Sequence, residues 1–145
     1  MNTKEDFEEA QEKIENGWIH VWFIFEVMAV TKEAAEEAIK KHIERLDHVK
    51  NVKIYEVTYH DAVKVDNPPA NVKEAWSQVS EVKLVVKSLF DLVNITILYA
   101  PSAIEIIEPK EYKIKIDEVQ NMVNIIAGLV HRFAAAGVGG VVIRS

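Results

Sequence analysis

The stretch from Trp18 to Val30 limits the fold more than any other. Its odd positions, Ile19, Val21, Phe23, Phe25, Val27 and Ala29, are all apolar. Its even positions, Trp18, His20, Trp22, Ile24, Glu26, Met28 and Val30, are largely apolar too. A strand with one wet face alternates. This one hardly does, so both of its faces are expected to be covered, by another layer of the chain, by a second copy, or by both. The run is too short to span a bilayer and carries His20 and Glu26, so no membrane partner is expected.

The elements around it follow from caps and periodicity. Thr3 to Asn16 reads as an amphipathic helix, with Thr3 and Asp6 as its capping pair and Gly17 as its stop. Its stripe of Phe7, Ala10 and Ile14 is narrow, so it is expected to dock loosely or on a partner. Thr31 caps a helix to about Leu46 that buries Ala35, Ala38, Ile39, His42 and Leu46. Val52 to Val65 is a second strand, with Tyr55, Val57 and Tyr59 on one face and Glu56, Thr58 and His60 on the other. The segment 66–71 holds Pro68-Pro69 and is the clearest break. Each half is too small to stand alone, so 1–145 is expected to be one domain with a loop at 66–71.

Val72 to Trp76 suits a helical turn or an edge segment. Val79 to Lys87 is a third strand. Ser88 and Asp91 cap a short helix from Leu89 to Tyr99, despite the β-branched Val93, Ile95, Thr96 and Ile97, and Pro101 follows it. Ala103 to Glu108 is a fourth strand. Asp117 is expected to cap a long helix to about Ala136, and Val138 to Ser145 to form a last strand. This order predicts an α+β protein. The expected form is a ferredoxin-like βαββαβ sandwich with an added N-terminal helix and a C-terminal helix-strand.

Composition narrows the function. With 49% hydrophobic residues in 145, the chain can bury a sizeable core. It has no cysteine, which excludes a disulfide scaffold and a thiolate-zinc site. Its net charge of −6 disfavours nucleic acid as a partner, since phosphate contacts need a basic surface. Met1 to Ala10 is acidic and unlike a signal peptide, so a cytoplasmic location is expected.

The last helix carries the main candidate site. Asp117, Asn121, Asn124, Gly128 and His131 fall at spacings of four, three, four and three, which puts them on one side. Asn121, Asn124 and His131 could bind a small molecule through hydrogen bonds and one proton carrier. The plainer reading, which is preferred, is an interfacial helix with a few satisfied polar groups. Glu26 could serve as a buried acid or base if desolvation raised its pKa. The plainer reading for Glu26 is a carboxylate near the strand end that reaches solvent or a lysine.

The histidines His20, His42, His48, His60 and His131 lack metal-site spacing, so neither a metal nor a cofactor is expected. The glycines of the segment 137–140 follow a helix instead of opening one, unlike a phosphate loop. Trp18, Trp22 and Trp76 suit packing better than base stacking, because no basic residues are interleaved with the first two.

One resemblance covers about a third of the chain. Lys83-Leu84-Val85-Val86, then Leu89 to Tyr99, then Pro101-Ser102-Ala103-Ile104-Glu105-Ile106-Ile107-Glu108-Pro109 and a long helix follow one another. This stretch, Val82 to Phe133, resembles the C-terminal extension of WYL-domain transcription regulators. The resemblance implies a ferredoxin-like fold, ligand sensing and oligomer contacts. It includes no catalytic motif. The expectation is a homo-oligomeric binding or regulatory module without catalysis. The alternative is a small enzyme or metabolite-binding protein using Asn121, Asn124, His131 and Glu26.

Overall fold

Four helices and five strands form in the computed structural model, which describes residues 1–137. The chain divides into two compact units, Met1–Glu111 and Tyr112–Ser145. The first unit holds α1 (Lys4–Glu15), β1 (Ile19–Ala29), α2 (Lys32–Asp47), β2 (Val52–Tyr59), β3 (Val63–Lys64), β4 (Trp76–Val86), α3 (Leu89–Tyr99) and β5 (Ala103–Glu108). The fold is α+β, with one open antiparallel sheet in the order β2-β4-β1-β5, and β3 also paired to β4. The expected final strand, Val138 to Ser145, lies outside the described residues. No helix among the described residues is long and apolar enough to cross a membrane.

β1 is central because it pairs along both edges. It runs against β4 from Ile19↔Val86 to Ala29↔Trp76 and against β5 from His20↔Glu108 to Ile24↔Ala103. Val21 and Phe23 are fully buried, and Ile19 and Phe25 nearly so. On this inner side they meet α2 and α3, whose buried residues are Ala35, Ile39, Ile43, Leu46, Leu92 and Ile95. Phe25 packs edge-on against the His42 ring at 5.1 Å, and His42 Nε2 shares a 2.7 Å hydrogen bond with the Tyr99 carbonyl. The α2 stripe centres on Ile43, and Ala38 is exposed. The stripe is therefore rotated slightly from the one expected.

The even positions of β1 face the outer side, which is only partly covered. His20, Trp22 and Ile24 are half-buried, while Glu26 and Met28 are exposed. Within the single chain the outer side is therefore closed over only part of the stretch. The outer side is covered at one end by α1. That helix is not loose: Ala10 is buried against Tyr55 and Val85, with Ile14 and Trp18 beside them.

Two anchors hold α1. The Asn2 side chain clamps β2, accepting from Val57 N at 2.6 Å and donating to Val57 O at 3.0 Å. Lys53 Nζ donates to Asp6 at 2.7 Å, and Thr3 Oγ1 accepts from Asp6 N at 3.0 Å as the expected cap.

The caps of Thr31 and Ser88 also form, accepting from Ala34 N and Asp91 N. α3 is helical despite its β-branched run and ends with Ala100 in the left-handed region at φ 48°. The second strand is shorter than expected, breaking at His60–Ala62. β4 is longer, taking in Trp76, which leaves no helical turn at 72–76.

The second unit contains α4 (Ile116–Ala135), none of whose residues is buried. Its N-cap is Lys115, without a side-chain cap bond. The expected cap, Asp117, lies inside the first turn and accepts from Glu118 N at 2.9 Å.

The Lys53 ammonium, with the Met1 ammonium and the Thr3 hydroxyl, holds the Asp6 carboxyl well below the usual carboxylate range. A depressed carboxyl stabilises the fold above its ordinary pKa, and that contribution is lost as pH falls through the folded value. Asp6→Asn is expected to cost about 1 kcal/mol near neutral pH, a modest figure because the pair sits at the surface. Urea denaturation should show the two proteins converging as the solution is acidified below the normal carboxylate range.

Candidate binding site on the outer sheet face

Two β-bulges shape the outer face. In β2 the register with β4 shifts between Ile54 and Glu56, leaving Tyr55 as the extra residue. In β5 the register with β1 shifts so that Ile107 is extra, between Ile106↔Val21 and Glu108↔His20. A bulge puts two residues opposite one and re-aims a side chain. Here Tyr55 turns to the outer side with Glu56, not to the Val57 side that strict alternation gives. Ile107 joins Glu105 and Glu108 on that same side.

At one end of this face Tyr55, His20 and Glu108 form a chain. His20 Nδ1 lies 3.1 Å from Glu108 Oε2, and His20 Nε2 meets the Tyr55 hydroxyl. A carboxylate only accepts, so Nδ1 donates to Glu108, and in the neutral ring Nε2 accepts from the Tyr55 O–H. Burial, with the charges of Glu56 and Glu108, pushes the Tyr55 phenol up to about 12. Tyr55 therefore keeps its proton at physiological pH. The chain holds the Tyr55 and His20 rings in place on the sheet. Phe7 of α1 packs edge-on against Tyr55 at 5.9 Å, closing this end.

Beside the chain is a cleft of about 240 Å³ lined by Trp22, Glu56, Thr58, Glu81, Lys83 and Ile107. Lys83 Nζ pairs with Glu56 at 2.9 Å, and His60 Nε2 lies 2.6 Å from Glu81. The Trp22 indole N–H is enclosed and has no hydrogen-bond partner. Orphaned buried donors are rare in folded proteins and costly to leave unmatched. A larger depression of about 640 Å³ runs along α2, but its lining residues Lys41, Glu44, Arg45 and His48 are exposed.

The residues singled out from sequence are dispersed between the two units. Glu26 lies on the outer face but is exposed, accepting from Ser77 Oγ at 2.9 Å. It is not a desolvated carboxylate. Asn121, Asn124 and His131 lie on one side of α4, all exposed, with the Asn124 side-chain oxygen accepting from Gln120 at 3.4 Å. Among the described residues, no three His, Asp or Glu side chains are grouped to hold a metal ion. Sequence reasoning passed over Tyr55, Glu108, Glu56, Glu81 and Lys83. Only the bulges bring Tyr55 to the Glu56 side and Glu108 to the His20 side, and no residue pattern marks a bulge here.

The raised phenol has a measurable consequence. A group whose folded pKa lies above its unfolded value contributes stability that is intact below the unfolded pKa and lost as pH rises through the folded one. For Tyr55 that window runs from 10.0 to about 12. Tyr55→Phe should lower stability by about 1–2 kcal/mol at neutral pH by leaving His20 Nε2 unmatched. It should also flatten the alkaline loss of stability seen in the unaltered protein, as followed by denaturant midpoints across that window.

No curated protein and no solved structure matches this chain. A family model matches residues 20–144, a span that starts in β1 at His20, the middle of the Tyr55–His20–Glu108 chain. By that match over most of its length, the chain belongs to the MJ0538 family.

Proposed function

We propose that this chain is a ferredoxin-like, homo-oligomeric module that binds a small ligand or a partner on its outer sheet face and carries out no catalysis. The observation that carries the reading is that face itself. Its centre holds a half-buried Trp22 and Ile24, a cleft beside them and an indole N–H with no partner. The split βαβ arrangement of a ferredoxin-like sandwich supports it. Without α1, β3 and α4, the elements run βαββαβ, and the sheet order β2-β4-β1-β5 is the interleaved one in which each βαβ half leaves room for a strand of the other.

Binding is favoured over catalysis by the state of the charged groups. Lys83 and Glu56 neutralise each other, His60 sits on Glu81, and Tyr55 holds its proton. The likeness of Val82 to Phe133 to the WYL extension supports a sensing role coupled to oligomer contacts. A cysteine-free acidic chain suits the cytoplasm.

Sedimentation equilibrium tests the reading. The protein is expected to exceed the monomer mass at micromolar concentration. A single 16.5 kDa species across that range would remove the oligomeric part of the proposal.

A further inference from the structure

We infer that the free edge of β5 docks a short extended segment of a partner protein that alternates apolar and basic residues. This concerns the edge of the sheet, not its outer face, and stands whether or not that face binds a ligand. The two edges of the sheet differ. On the β2 edge Asn2 occupies the backbone groups. Its N–H donates to the Tyr55 carbonyl at 2.9 Å, and its side chain bonds both Val57 N and Val57 O. On the other edge, β5 pairs only with β1 among the described residues. All six residues of β5 are exposed. A strand paired on one side presents a row of unmatched N–H and C=O groups on the other, which is a template for one more strand.

The side chains of β5 state what that strand must carry. Ile104 and Ile106 stand opposite Phe23 and Val21, so they point to the inner side. Phe23 and Val21 are fully buried, yet Ile104 and Ile106 are 41% and 49% exposed. The cover over the inner side therefore stops short of β5. An added strand sets apolar side chains of its own beside these two. Glu105 stands opposite Trp22 on the outer side, is exposed, and has no cationic partner among the described residues. A lysine or arginine at the facing position supplies one. The net charge of −6 draws a basic partner in at longer range. A second copy of β5 does not fit. Ala103–Glu108 holds two glutamates and no basic residue, so in no register does one such edge neutralise another. A charge on an edge strand guards against its own kind. Glu105 thus excludes an identical edge and admits a basic one. The bulge at Ile107 and the missing N–H of Pro109 confine the open run to residues 103–106.

Two labelled synthetic peptides test the inference against the full chain, by fluorescence anisotropy and amide NMR. One alternates valine and arginine, the other valine and glutamate. The arginine peptide is expected to bind, to weaken as salt rises, and to shift the amide signals of residues 103–106. The glutamate peptide should not bind. Glu105→Lys should weaken the arginine peptide about tenfold and let the glutamate peptide bind. N-methylation at alternate peptide residues separates strand addition from charge attraction. In one phase it removes the N–H groups that face β5 and should abolish binding, and in the other it should be tolerated. Binding indifferent to both phases, shifts confined to residues outside β5, or no binding at millimolar peptide overturns the inference. Slow hydrogen exchange at every amide of residues 103–106 without peptide also overturns it, since a second copy or another segment of the chain then already holds the edge.

Discussion

The hydrogen-bonded pairing of β1 along both of its edges is the constraint on which the first unit depends. β4 on one side and β5 on the other satisfy its backbone groups, which frees the strand to be apolar on both faces. The inner face then takes Phe23 and Phe25 out of water under α2 and α3. Burying two phenylalanine side chains contributes on the order of 4–6 kcal/mol of transfer free energy, an upper figure given residual structure in unfolded chains. The outer face is bound less tightly. α1 closes only the end near Tyr55 and Val85, where Ala10 permits close approach.

This difference between the two faces links stability to function. The inner face has little to offer a ligand, since its largest side chains are wholly enclosed. The outer face has polar groups placed by a rigid sheet, which is better positioned than a loop for holding them. Two bulges concentrate side chains there. The Tyr55–His20–Glu108 chain sits at one end of the face, and the Lys83–Glu56 pair lines the cleft. What remains unsatisfied is an indole N–H at the middle of the face.

Much of the fold was legible because it rests on local chemistry. Thr3, Thr31 and Ser88 each precede a helix and accept from the backbone three residues on, as their type and spacing imply. Ser88 with Asp91 outweighed the β-branched residues of α3. The apolar run of β1 correctly marked the central strand. Its outer face is only partly covered within the single chain, since half-burial of Trp22 and Ile24 needs no complete second layer. Asp117 was misplaced as a cap because the helix begins at Ile116, which puts the cap two residues earlier, at Lys115. The candidate site was the least legible part. Tyr55 alternates with its neighbours in the sequence like any strand residue, yet the bulge sends it to the face its pattern denies. His20 was visible, but its partners come from 35 and 88 residues away. No single-sequence spacing encodes such a meeting.

β1 has one face that holds the fold and one that is only partly covered. Comparing Phe23→Ala with Trp22→Ala in urea denaturation separates the two most directly. The two residues are aromatic neighbours on one strand and serve opposite faces. Phe23→Ala is expected to cost about 3–5 kcal/mol, the range for emptying a packed core site. Trp22→Ala should cost less than half as much, although it removes the larger side chain. Equal losses, or a greater loss at Trp22, would contradict the account.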